Sequence, residues 1–436
     1  MSGTTIAIVG IVALVVIFLL RMPVSYAMGL VGFVGFAVAS SFNGALRVVA
    51  RDLWATFSSY SLSVAPMFVL MGAIAFHAGI SGRLFDAANK WLGRMPGGLA
   101  IATIVACAGF GAMCGSTTAG AAAMGKVTLP EMKRYHYDDR LATACVASAG
   151  SLAIMIPPST VLIIYGVMTE QSVGKLFIAG ILPGILLSVL FIIATLLQVW
   201  RRPGIAPPGK KFSWKEKFLG LSGVIEMIVL FALVMGGLFV GWFTPTEAGA
   251  IGAAGALAIA LVRRNLSLAA LWKALAETTR IAAMVFLIIA TATIFGHFMA
   301  ITRAPFALSE WVGGLSLPPI VIMLFIMFIY LIGGCFMDSL ALVTLTIPIL
   351  YPVVTKLGYD PIWFGVMIVL AAEMGVITPP VGVNVYVIKG IAPDVPLYTI
   401  FAGIWPYLLA EIACIVILLF APDIATFLPG LAAAKG

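Results

Sequence analysis

Oxygen-bearing residues recur at matched points of an otherwise apolar chain. Ser116 and Thr117 lie within CGSTTAG, residues 114–120, and Asp338 and Ser339 lie within GGCFMDSLA, residues 333–341. Two further stretches, GSLAIMIPPST at 150–160 and MGVITPPVGVN at 374–384, carry the adjacent prolines Pro157-Pro158 and Pro379-Pro380. Proline has no N–H and its ring crowds the preceding turn, so each pair interrupts a helix. The interruptions are expected to free the carbonyls of Ala153 and Ile154 in the first stretch, and of Gly375 and Val376 in the second. In hydrocarbon a freed carbonyl must face protein, water or an ion. Carbonyls, hydroxyls and one carboxylate are hard oxygen ligands, suited to Na⁺ or to a proton-linked acid. An acid at membrane depth such as Asp338 is functional by default, and it could also cap the helix that follows it. Half-helices beginning beside these residues turn positive ends toward any anionic group. Ser159, Thr160 and Asn384 follow the breaks and are candidates for substrate contact; Glu373, just before the second break, is another, unless it only faces a water-filled cleft.

The elements that position these residues are read from composition. Of 436 residues 62% are hydrophobic and 10% charged, and the mean hydropathy is +1.14. Such a chain is an all-α polytopic membrane protein. The stretches between apolar segments are too short for a soluble catalytic or nucleotide-binding domain, and there is no HExxH, GxSxG or phosphate-binding loop. The excess of 25 basic over 17 acidic residues follows from loop charge bias and needs no nucleic acid. Cys107, Cys114, Cys145, Cys335 and Cys414 sit in apolar surroundings and are expected to be buried thiols. Residues 6–20 lack a basic leader and a cleavage site, so they count as a membrane helix rather than a signal peptide.

Apolar segments run over 5–21, 23–42, 64–80, 97–125, 141–169 and 176–198, then 219–242, 245–264, 281–300, 317–350, 361–388 and 395–420. Residues 45–58 and 266–279 read as interfacial amphipathic helices. The two sets of six correspond. Pro23 with Gly29, Gly32 and Gly35 recurs as Pro245 with Gly249, Gly252 and Gly255, and Trp91 as Trp311. Pro130 recurs as Pro348, Tyr137-Asp138 as Tyr359-Asp360, and Pro183 as Pro406, always 218 to 223 positions on and in order. That series is an internal duplication: a first repeat over 1–198, a basic linker at 199–218, a second repeat over 219–420 and a tail at 421–436. If 97–125 and 317–350 are re-entrant hairpins, each repeat crosses five times and the second copy is inverted. With both termini outside, that threading puts 19 bases in the cytoplasm, from Arg21 through Lys389, against 6 outside, including Lys435. Making the hairpins full crossings would weaken the bias, so the inverted reading is preferred. The glycine triplets are expected to let helices pack closely. Glu226, Glu247, Glu411, His77 and His297 are read as interfacial or structural, and the nine Trp and eleven Tyr as interface belts.

Gly115-Ser116-Thr117, the IPPS of 156–159, Met337-Asp338-Ser339 and the TPPVG of 378–382 together carry a resemblance over essentially the full length. The chain resembles the large permease subunit of TRAP (tripartite ATP-independent periplasmic) transporters, within the ion-transporter superfamily. The resemblance implies an elevator in the bacterial inner membrane, a scaffold holding a mobile domain of hairpins and broken helices. It implies Na⁺ coupling, a small membrane subunit, and a periplasmic binding protein delivering a small organic anion, usually a carboxylate. It also implies one sodium between the Ser116–Thr117 tip and the break near Gly150 and Ser151. A second would lie between the Asp338–Ser339 tip and the break near Gly375 and Thr378. Neither partner is recognisable within these 436 residues, so both are expected as separate chains. A stand-alone carboxylate transporter of the same fold is the nearest alternative; an intramembrane enzyme with Asp338 and Glu373 as an acid pair, or a passive channel, is more distant.

Overall fold

The computed structural model describes residues 2–20 and 22–433, so Arg21 and Lys435, counted above among the loop charges, lie outside the described residues. All regular structure described is helical. The first half comprises α1 (Gly3–Leu19), α2 (Val24–Ala39), α3 (Phe42–Phe57), α4 (Val64–His77), α5 (Ile80–Leu92), α6 (Gly98–Cys114), α7 (Thr117–Arg134), α8 (Asp139–Ala149), α9 (Leu152–Met155), α10 (Thr160–Met168) and α11 (Val173–Arg201). The second comprises α12 (Trp214–Val240), α13 (Pro245–Val262), α14 (Leu268–Ile301), α15 (Ala304–Gly313), α16 (Pro319–Phe336), α17 (Ser339–Lys356), α18 (Pro361–Ile377), α19 (Val383–Ile391), α20 (Leu397–Phe420) and α21 (Asp423–Ala433). Eight stretches are long and apolar enough to cross a bilayer among the described residues: seven single helices and the run Asp139–Met168 made of α8, α9 and α10.

Local chemistry sets the helix starts. Ser213 with Glu216 and Thr244 with Glu247 form capping boxes at α12 and α13, satisfying first-turn N–H groups that no helical carbonyl can reach. Two residues matched in the repeat do the same job. Asp138 caps α8 by accepting from Arg140 N at 2.9 Å, and Asp360 caps α18 by accepting from Trp363 N at 2.8 Å. The glycine triplets lie where helices pack closely. A Cβ on Gly32 would come within 2.8 Å of Phe295 N in α14, and one on Gly252 within 2.5 Å of the Met71 sulfur in α4.

The core is the set of broken helices. Every residue of α8 from Leu141 to Ala149 is buried, and so is every residue of α18 from Ile362 to Ile377. Around them α1, α2, α12 and α13 keep apolar side chains exposed on one face, as lipid contact requires. The two halves interlock: Tyr165 Oη donates to the Pro361 carbonyl at 2.6 Å, Tyr407 Oη bonds Thr195 Oγ1 at 2.9 Å, and Arg140 donates to the Ala402 carbonyl at 2.6 Å.

Two sequence expectations are corrected. Residues 266–279 are not a separate interfacial helix, because α14 runs unbroken for 34 residues. At 1.5 Å per residue it is about 51 Å long, well beyond the hydrocarbon thickness. Its charged turns around Lys273, Glu277 and Arg280 mimic an interfacial helix in sequence only. The corresponding part of the first half does break: α3 meets the segment Ser61–His77, a 3₁₀ turn at Ser61–Ser63 leading into α4, at 56°. The aromatic belt is also incomplete. Trp54, Trp242 and Trp272 are exposed, but Trp363, Tyr165, Tyr330 and Tyr407 are buried, with Trp363 Nε1 donating to the Leu418 carbonyl at 2.9 Å. Within the tail, the helix α21 packs along α11.

Candidate functional site

The first tip joins α6 to α7 at Gly115 and Ser116. Gly115 has φ +61°, a left-handed conformation, and a Cβ there would lie 2.6 Å from the Pro158 carbonyl oxygen. Thr160 Oγ1 donates to the Gly115 carbonyl at 2.8 Å and so ties the tip to the break. Glycine makes the close contact possible: a Cβ on Gly111 would sit 2.6 Å from Ala153 Cα, and one on Gly150 2.7 Å from Ala121 Cβ. Ser116 caps α7 loosely, accepting from Ala119 N at 3.5 Å, with Thr118 Oγ1 at 3.4 Å. The chain kinks at Gly150 and Ser151, forms the four-residue α9, and breaks at the prolines. Ser159 is fully buried, its hydroxyl used to cap α10 at Leu162 N, 3.3 Å away.

The second tip joins α16 to α17 at Met337 and Asp338. Asp338 caps α17, its Oδ1 accepting from Ala341 N at 3.1 Å. Behind it two glycines meet, a Cβ on Gly375 falling 2.4 Å from Gly334 Cα. Ser339 Oγ donates to Glu373 Oε1 at 2.5 Å, and Glu373 is fully buried rather than facing a wet cleft. The Gly375 carbonyl is not left free as the proline pattern suggested, since it accepts from Thr378 N at 3.0 Å. Thr378 Oγ1 donates to the Met374 carbonyl at 2.5 Å. The hydroxyl thus takes a carbonyl that the helix end has lost, while keeping its lone pairs for another partner.

Both tips line one cavity of about 590 Å³, bounded on the other side by α4 and α14. Ser116, Thr117, Asp338, Ser339 and Thr160 line it. Gly150, Ser151, Ser159, Gly375, Thr378, Glu373 and Asn384 do not; they lie behind the tips or in the helices supporting them. Asn384 lies off this cavity and ties the halves together, its Nδ2 donating to Thr117 Oγ1 at 2.8 Å and to the Ala147 carbonyl at 3.1 Å. The N-termini of α7 and α17 open on the cavity, so two sets of first-turn N–H groups face it. Lys126 and the His77–Glu277 pair, at 3.2 Å, line the same space.

The donors available to a hard cation near the tips are all oxygens, and several buried ones have no hydrogen-bond partner: Asn384 Oδ1, Glu373 Oε2, Glu411 Oε2 and Ser148 Oγ. No Lys, Arg or His pairs with Asp338, Glu373 or Glu411 among the described residues. The donor set therefore fits a small cation. Sequence reasoning did not single out Lys126 as a cavity residue; Glu411, read as interfacial or structural, is fully buried with Ser151 Oγ on its Oε1 at 3.1 Å. The signal for Glu411 was present, an acid in the middle of the apolar segment 395–420. The signal for Lys126 was its place on the tip helix, ten positions after Ser116.

Comparison with known proteins adds the family. A family model described as the tripartite ATP-independent periplasmic transporter, DctM component, matches residues 11–424. The chain is 35% identical over 385 residues to the C4-dicarboxylate TRAP transporter large permease protein DctM of Pseudomonas aeruginosa, covering 88% of this chain and 90% of that one. It is 32% identical over 411 residues to the sialic acid TRAP transporter large permease protein SiaM of Vibrio cholerae, covering 94% and 95%. Among solved structures, the YdaH transporter of Alcanivorax borkumensis aligns at a TM-score of 0.61 and 17% identity, over 86% of this chain and 88% of that one, a likeness of fold. With the buried broken helices and the shared cavity, these matches place the chain in the DctM family, as a multi-pass TRAP large permease and not an enzyme.

Proposed function

We propose that the chain carries a small organic anion across the bacterial inner membrane, coupled to Na⁺ and supplied by a periplasmic binding protein. The observation that carries this reading is the single cavity on which two helix N-termini, two hydroxyl-bearing residues of one tip and the carboxylate of the other converge. The positive helix ends suit an anion, and the oxygens beside them suit its coupling cation. One sodium is assigned to the Ser116–Thr117 tip with Gly150 and Ser151, the other to the Asp338–Ser339 tip with Gly375 and Thr378. Gly375 keeps one carbonyl lone pair after its bond from Thr378, so it remains a possible ligand.

The tips and broken helices would move as an elevator against α4 and α14, the far wall of the cavity. Re-entrant tips, five crossings per half, inverted halves and periplasmic termini belong to the same proposal, supported by the distribution of basic residues. A small membrane subunit would complete the scaffold. The names of the relatives, for C4-dicarboxylates and for sialic acid, favour a carboxylate cargo.

The test is uptake into proteoliposomes holding this chain and its small subunit, with binding protein outside and an inward Na⁺ gradient. Accumulation that requires all three chains and sodium is expected. Accumulation by the permease alone would instead establish a stand-alone carboxylate transporter. Absence of sodium dependence with the full set of chains would overturn the coupling.

A further inference from the structure

The first tip has no acid of its own, while the second has Asp338 at the tip and Glu373 bonded to Ser339. The structure supplies one from the other half of the chain. Glu411, in α20, is fully buried; its Oε1 accepts from Ser151 Oγ at 3.1 Å and its Oε2 has no partner. Ser148 stands one turn before Ser151, is fully buried, and has an unpartnered Oγ, while its carbonyl accepts from Ser151 Oγ at 2.7 Å. α8 and α20 are in direct contact, with Gly403 so close that a Cβ on it would lie 2.2 Å from the Arg140 carbonyl oxygen.

We propose that Glu411 supplies the negative charge of a monovalent-cation site between α8 and α20, with Ser148 and Ser151 as its hydroxyl ligands. This rests on the sodium-coupling reading above and deepens its first site. If Glu411 served only to hold Ser151, a neutral carbonyl would do, and a carboxylate in so dry a place would be a poor choice. A bound cation changes that balance, because it neutralises the charge and occupies oxygens that have no donor. The donor set is one carboxylate and two hydroxyls with a carbonyl beside them, all hard oxygens, and its charge of minus one matches a monovalent ion. Asp338 provides the equivalent charge at the second tip, so each tip has an acid behind or upon it although the acids come from unrelated positions in the sequence.

The experiment is a sodium titration of uptake by the complete transporter in proteoliposomes, comparing wild type with Glu411→Gln, Glu411→Asp and Ser148→Ala. Glutamine still accepts from Ser151 but carries no charge. It is expected to raise the half-saturating sodium concentration about tenfold or more, with aspartate intermediate and Ser148→Ala raising it about threefold. A half-saturating sodium concentration within twofold of wild type in Glu411→Gln overturns the proposal. If that variant does not fold, Ser148→Ala decides in the same way, and wild-type sodium affinity there overturns it. Loss of sodium dependence in Asp338→Asn alongside an unchanged half-saturating sodium concentration in Glu411→Gln would sink this inference alone; a wild type indifferent to sodium would sink the coupling reading as well.

Discussion

The two tip-and-break units carry the same sequence pattern and differ in how they are held. The first is bound by hydroxyls. Ser116 caps loosely at 3.5 Å, Thr160 secures the turn through the Gly115 carbonyl, and the supporting helix is divided into α8, α9 and α10. The second is bound by carboxylates. Asp338 caps at 3.1 Å, Glu373 fixes Ser339, and α18 runs straight to Ile377 before it stops. A duplicated pattern of prolines therefore fixes where the chain breaks, but not how stiff the pieces are or where their charge comes from. Stiffness follows from whether the helix is continuous, and charge from which neighbouring helix the unit packs against.

The largest expected effect tests the role of charge. Asp338→Asn keeps a cap acceptor but removes the charge, and it should lower sodium-driven uptake at least about 100-fold, against about tenfold for Ser116→Ala. Equal losses in the proteoliposome assay would remove the distinction between the two tips. Stiffness is tested by filling the glycine contacts. Gly334→Val places a Cβ 2.5 Å from the Ala372 carbonyl oxygen in the unbroken α18, whereas Gly111→Val meets Ala153 in the four-residue α9. Both should lower thermal stability in detergent, the first by about 3 kcal/mol or more and the second by nearer 1 kcal/mol, since a short segment can shift to relieve the overlap. The reverse order would mean that the first unit is the stiffer one.

A smaller effect is expected where the two units join. Asn384→Ala leaves Thr117 and the Ala147 carbonyl without their donor, at a cost of about 1–3 kcal/mol read from the same melting curves, and Asn384→Asp should cost at least as much by burying a charge. The smallest belongs to the exposed pair of Lys133, at the end of α7, and Asp394, after α19. Hydrogen bonding from Lys133 holds the Asp394 carboxyl below its usual range, so its contribution is complete above the ordinary carboxylate value and disappears as pH falls through the lowered one. Both side chains are open to solvent, and Lys133→Ala should leave the melting temperature at neutral pH unchanged within error. A clear loss would show that the two units also depend on their outer contact.

Much of the site was legible because backbone chemistry is local. A proline pair must break a helix, a glycine before a serine permits a tight turn, and an aspartate before an apolar run can cap it; residues 114–117, 156–159, 337–339 and 378–380 carry all of this in a few letters. What local pattern could not supply was partnership. The bond between Glu411 and Ser151 spans 260 positions, and that between Asn384 and Thr117 spans 267. No periodicity within α20 or α19 reveals which face will meet them. The Gly375 carbonyl misled for a related reason, since helix ends recover lost bonds by tightening to an i→i+3 contact, as Thr378 does. In α14 the charged turns were read as a boundary when the helix simply continues past the hydrocarbon.

Asn384 has a mechanical consequence. Its amide clasps α19 to both α7 and α8, so sliding the second broken helix past the first tip would tear two hydrogen bonds out of a dry interior. Movement relative to α4 and α14 breaks neither. Under the transport cycle proposed above, the clasp would make the first tip and the second broken helix a single carriage, with cargo and ions boarding and leaving together.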